Sequence, residues 1–110
     1  MAKEYLGNLE LMVLLALLRL PLDAYGVPIS REIAEQTGWQ VAIGSVYAAL
    51  ERLECKGLVS SNLGEPSPLR GGRAKRYFQI TGKGVRDVRD AQRMLTNMWW
   101  NLTGLQGESA

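Results

Sequence analysis

The chain has 110 residues, the size of one small domain, so a second independent core is not expected. Apolar residues make up 46% and charged residues 22%, enough to bury a core and too apolar for a disordered tail. It has no histidine and one cysteine, Cys55, which excludes catalytic triads, Cys-His dyads, His-containing zinc sites, thiolate clusters and internal disulfides.

The lone cysteine fits a reducing, cytoplasmic setting. The longest apolar run, Leu11 to Leu18, is eight residues, against about 20 for a membrane span. Glu4 and Glu10 stand where a secretion signal would be basic, so neither a signal nor a membrane partner is expected. The expected class is a binding protein without a cofactor, not an enzyme.

Asn8 can cap a first helix running to about Leu20, ended by Pro21. It is apolar nearly all round (Leu9, Met12, Val13, Leu15, Ala16, Leu18), the pattern of a central buried helix. A second helix fits Gly26 to Thr37, with Pro28 in its first turn, Ile29 and Ile33 on one face and Gly38 as its stop. A third covers about Ile43 to Lys56, ended by Gly57. Its Val46, Leu50 and Leu53 form one core stripe. The opposite face carries Ser45, Ala48, Ala49, Arg52 and Lys56, small near the N-terminus and basic near the C-terminus. Small side chains let a helix enter a groove closely, and its N-terminal amides favour phosphate. An ordinary amphipathic surface helix shows the same pattern.

Leu58 to Leu63 reads as a strand, Gly64 to Gly72 as a turn with Pro66, Pro68 and Gly71-Gly72, and Lys75 to Ile80 as a returning strand. Alternation places Phe78 and Ile80 on one side and Arg73, Lys75 and Tyr77 on the other. Thr81 caps a last helix in which Val88, Ala91, Leu95, Met98, Leu102 and Leu105 are spaced 3, 4, 3, 4, 3, a coiled-coil seam. Trp99 and Trp100 add apolar surface that one helix leaving a small domain cannot bury alone, which argues for a homodimer.

Charge is unevenly placed. Residues 1–65 sum to −3 and residues 87–110 to −1, whereas 66–86 sum to +6, holding Arg70, Arg73, Lys75, Arg76, Lys83 and Arg86 without an acid. A basic block in an otherwise mildly acidic chain suggests a local polyanion contact, although a solvated loop would look the same. The fold expected is mainly α with a small β-hairpin. Three helices followed by a hairpin with a basic, glycine-rich tip is the order of a winged helix-turn-helix, with a further C-terminal helix. In that arrangement the third helix enters the major groove and the hairpin tip reaches the flanking backbone or minor groove.

From about Leu6 to Arg86 the sequence resembles the PadR family of bacterial transcriptional regulators. The resemblance rests on Leu6-Gly7-Asn8-Leu9-Glu10-Leu11, Tyr25-Gly26-Val27-Pro28-Ile29, Gly44-Ser45-Val46-Tyr47 with Leu50, Arg52-Leu53-Glu54, and Lys56-Gly57-Leu58-Val59. It continues through Gly64-Glu65-Pro66, Gly71-Gly72-Arg73, Lys75-Arg76-Tyr77-Phe78, Ile80-Thr81 and Gly84. It implies a dimeric winged-helix repressor that binds a palindromic double-stranded DNA operator and is released by a small molecule. The parts implied are a DNA-binding domain over 1–81, a dimerisation helix over 82–105 and a flexible tail over 106–110. Gly44, Ser45, Tyr47 and Ala48 then correspond to the recognition helix, and Gly71, Gly72, Arg73 and Lys75 to the wing. Where longer members have several C-terminal helices, this chain has room for one.

Individual residues carry alternatives. Tyr47 can give its hydroxyl to a phosphate or pack between the second and third helices. Arg52 can reach DNA or pair with Glu51 or Glu54. Arg73 and Lys75, free of nearby acids, suit phosphate better; Arg70 adds to them, while alternation turns Arg76 to the other face. Cys55 reads as a plain surface residue. Dimerisation falls to Val88, Ala91, Leu95, Met98, Trp99 and Leu102. In related multidrug-binding regulators an aromatic on the last helix stacks on planar ligands. That position falls near Met94 here, so Met94 and Met98 are the candidate lining for a small apolar or aromatic effector, and Trp99 and Trp100 are assigned to interface packing. The rival reading is a winged-helix protein-interaction module, which has no need of an acid-free basic wing.

Overall fold

The computed structural model describes residues 6–20, 22, 24–64, 75–102 and 104. Helix α1 spans Asn8–Arg19, α2 Gly26–Thr37, α3 Ile43–Cys55 and α4 Gly82–Trp99, with strands β1, Val59–Leu63, and β2, Arg76–Ile80, between α3 and α4. The start of α1 corrects the expected Asn8 cap: the flanking residue is Gly7, whose amide donates to the Glu10 carboxylate at 3.1 Å.

Val13, Leu14 and Leu17 of α1 meet Ile29 and Ile33 of α2 and Val46, Leu50 and Leu53 of α3 in one core. Leu58, Val59 and Phe78 of the hairpin close it from below. Ala49 is fully buried with them, so it belongs to the core face of α3 and not to the small-and-basic face. At 100° per residue it lies only about 40° from the Val46–Leu50–Leu53 row.

Strands β1 and β2 pair antiparallel, from Val59 opposite Ile80 to Leu63 opposite Arg76. An extra bridge joins Phe78 to Ala24, where the Phe78 amide donates to the Ala24 carbonyl at 2.8 Å. The connection between α1 and α2 thereby anchors the hairpin. The turn before α3 is equally fixed. Gly38 ends α2 with φ 78°, the left-handed conformation glycine adopts without strain. The Trp39 amide donates to the Thr37 hydroxyl at 3.0 Å, and the Ser30 hydroxyl donates to the Val41 carbonyl at 3.1 Å.

A buried carboxylate locks the far end of α3. Glu10, 5% exposed, accepts from the Arg52 guanidinium at 3.2 Å and from the Lys56 ammonium at 3.1 Å. Burial pushes its carboxyl up, but the Gly7 amide, Lys56 and Arg52 together outweigh burial and hold it below the ordinary range. A folded pKa below the unfolded value means this stabilisation is complete at neutral pH and is lost as pH falls below about 4. Glu10→Gln should cost about 2 kcal/mol at pH 7, less than a fully buried pair because Arg52 is half exposed. In urea titrations at pH 7 and pH 3.5, the gap between wild type and variant should shrink at the lower pH.

Thr81 caps α4 by accepting from the Gly84 amide at 3.1 Å, as expected, and donates its hydroxyl to the Gly57 carbonyl at 2.7 Å. Gly84 lies so close to the Leu58 carbonyl and Ile80 that a β-carbon has no room. Beyond this root, α4 buries only Val88 against its own chain. The helix ends at Trp99 with Trp100 extended, so Leu102 lies past its end, a correction to the expected helix over 82–105. Leu105 and the tail over 106–110 lie outside the described residues.

Candidate nucleic-acid interface

Burying Val46, Ala49, Leu50 and Leu53 turns the opposite side of α3 to solvent, and Gly44, Ser45, Tyr47 and Ala48 are all exposed there. Tyr47 bridges to α2. Its ring packs on Gly26 and lies 6.4 Å from that of Phe78, and its hydroxyl accepts from the Gly26 amide at 3.2 Å. The packing alternative is thus present in the fold, and the hydroxyl keeps its own hydrogen to donate. A β-carbon at Gly26 would overlap this ring. Gly26→Ala should therefore lower stability by about 1–3 kcal/mol through overpacking, read from the thermal midpoint.

Arg52 does not sit free on this face. Neither neighbouring glutamate is the acid it holds: its guanidinium is bonded to Glu10, and Glu54 instead accepts from the Ser61 hydroxyl at 2.7 Å. Lys56, also placed on the groove side by periodicity, shares the Glu10 carboxylate. The basic end of α3 is thus a tie to α1, and the exposed N-terminal half is what the helix presents.

At the base of the hairpin the Lys75 ammonium lies 3.7 Å from the centre of the Tyr25 ring, and Tyr25 meets Tyr77 edge-on at 5.8 Å. The Gly64 amide donates to the Lys75 carbonyl at 2.7 Å. Lys75 is therefore a half-buried base residue docked on Tyr25, where the sequence suggested a side chain reaching out from the tip. Arg76 donates to the Ser61 hydroxyl at 2.8 Å, and Lys83 donates to the Lys56 carbonyl at 3.0 Å beyond the end of α3. Three cations of the +6 block thus have partners inside the fold. Arg70, Gly71, Gly72 and Arg73 lie outside the described residues.

Two residues next to this surface escaped the sequence reading. Trp39 and Ile43 are each 43% exposed, on the turn into α3 and at its first position. Ile43 continues the 3-4 spacing of the Val46–Leu50–Leu53 stripe to the first residue of the helix, where the stripe runs out of the core.

On the other side of the molecule, α1 and α4 enclose an open groove of about 800 Å³. Its lining includes Leu11, Leu15 and Leu18 of α1, and Val88, Leu95 and Trp99 of α4. Met94 and Met98, expected to line a space between two subunits, do not line this groove within one chain. Helical phase explains this: Met98 lies about a quarter of a turn, and Met94 about a third of a turn, from the centre of the Val88–Leu95–Trp99 row. Val88 is 9% exposed and is part of this chain's own core, so it is not a free seam residue. Trp99 and Trp100 are 59% and 80% exposed. Among the described residues, no group of three His, Cys, Asp or Glu side chains is placed to hold a metal ion, and no helix is long and apolar enough to cross a membrane.

Helix α3 packed on α2, with an antiparallel hairpin beside it and a further helix leaving the hairpin, defines a winged helix-turn-helix protein. A family model described as the transcriptional regulator PadR-like family matches residues 14–90, and the chain belongs to that family. A PadR family transcriptional regulator from Eggerthella lenta is similar at 25% identity and a TM-score of 0.65, over 79% of this chain and 73% of that one. The regulator TA0346 from Thermoplasma acidophilum has the same fold, with a TM-score of 0.68 at 22% identity over 82% and 84% of the two chains. An uncharacterised protein of Lysinibacillus sphaericus is 35% identical over 80 residues, 71% of this chain and 69% of that protein. Family members are DNA-binding transcriptional regulators and not enzymes.

Proposed function

We propose that the protein is a cytoplasmic repressor that binds a palindromic operator as a homodimer, one α3 and one wing per half-site, and is released by a small apolar or aromatic effector. The observation that carries the DNA part is the exposed N-terminal half of α3, held rigidly by Tyr47 on Gly26 and by the fixed turn from Gly38 to Val41. Gly44, Ser45, Tyr47 and Ala48 meet the groove, and Gly71, Gly72 and Arg73 meet backbone, with Lys75 setting the hairpin against α2. The α1–α4 groove supports the dimer, because in a single chain it leaves large apolar side chains in water. A gel-shift titration with the DNA upstream of its own gene should show a single specific complex of one dimer per duplex. Failure to distinguish that DNA from random duplex would sink the reading.

A further inference from the structure

The exposed half of α3 lacks the side chains that usually read purines. Its first two turns offer Ile43, Gly44, Ser45, Tyr47 and Ala48. No guanidinium or carboxamide is among them, so bidentate contacts to guanine or adenine are not available from these turns. The first exposed charged residue along the helix is Glu51, an acid that phosphates repel. The only arginine, Arg52, holds Glu10. Tyr47 has its ring against Gly26 and its hydroxyl at the start of α2, next to backbone more than to bases.

What remains for base edges is one hydroxyl, Ser45, and two apolar groups. Ile43, the first residue of α3, keeps 43% of its surface in water at the helix start, and Ala48, five residues further on, is exposed on the face opposite the core. The major-groove feature that an apolar side chain recognises is the C5-methyl of thymine. We propose that Ile43 and Ala48 are specificity-determining residues that select thymine in each half-site through its methyl group. This rests on the operator-binding role proposed above. The same chemistry gives Ser45 no preference among bases strong enough to replace them, since a single hydroxyl donates to or accepts from either kind of edge.

The test changes the DNA, so the fold of the protein is untouched. An operator is selected from random duplexes with the wild-type protein, then remade with deoxyuridine at each thymine in turn, which removes the methyl and keeps every hydrogen-bonding group. Affinity should fall about fourfold at a contacted thymine, and roughly fifteenfold when both half-sites are changed. Ile43→Ala or Ala48→Gly should bind the thymine and deoxyuridine forms of its own contacted position alike, with thermal melting confirming that each variant is folded. Equal wild-type affinity for every deoxyuridine duplex would overturn the proposal, and would be the outcome if the apolar patch served a protein partner. A penalty that persists in both variants but disappears in Gln40→Ala or Trp39→Ala would also overturn it, by moving the contact to the turn. Selection that yields no consensus would remove the operator-binding reading itself, a result distinct from either.

Discussion

Replacing Trp99 and Trp100 together with alanine should turn the proposed dimer into monomer at micromolar concentration. The two side chains are 59% and 80% exposed at the end of a helix that buries little against its own chain, beside Leu18 and Leu95, themselves 44% and 48% exposed. An aromatic side chain buries about 150–250 Å² when covered. Truncating a central aromatic at an interface costs about 2 kcal/mol or more, and a symmetric dimer loses both copies. Allowing for non-additivity, the dimer dissociation constant should rise about a thousandfold. Operator affinity should drop only as a consequence, recovering at high protein concentration. Light scattering across a dilution series measures this directly. A double variant that stayed dimeric and lost only its response to effector would assign the tryptophans to the ligand instead.

The same helix shows where sequence reading succeeds and where it stops. Periodicity found α4 and its Thr81 cap, because each is a local property. It did not find which row faces α1. The 3-4 spacing selects Val88, Ala91, Leu95 and Met98, whereas the groove row runs through Val88, Leu95 and Trp99. Both rows are apolar, and only packing chooses between them. On α2 the proline and glycine signals placed both ends correctly, since each acts within a turn of its own residue.

Charges were the least legible part. Arg52 and Glu10 are 42 residues apart, and nothing near either announces the other. Ordinary pairing rules pointed to Glu51 and Glu54, while the fold spends Arg52 and Lys56 on a buried acid. The +6 block divides in the same way, with Lys75, Arg76 and Lys83 held by Tyr25, Ser61 and the Lys56 carbonyl. Net charge by segment therefore located the hairpin but overstated how many of its cations are free for a polyanion.

That division sets the last expectation, which concerns salt. If each subunit neutralises about three phosphates, the slope of log K against log salt should be near −5 for the dimer. Arg73→Ala with Lys75→Ala should weaken operator and random duplex by similar factors, because phosphate contacts carry little sequence information. The two substitutions should nevertheless separate. Losing a direct phosphate contact makes the slope shallower by about one unit per subunit, so Arg73→Ala should move it towards −3. Lys75→Ala removes the cation from the Tyr25 ring and loosens the hairpin base, so affinity should fall with a smaller change in slope. Ser45→Leu should do the reverse, abolishing preference for the operator while leaving the random-duplex slope intact. Fluorescence anisotropy at five salt concentrations resolves these patterns. A wild-type slope near zero would remove the electrostatic role of the wing, and an unchanged slope in Arg73→Ala would place the phosphate contacts elsewhere on the surface.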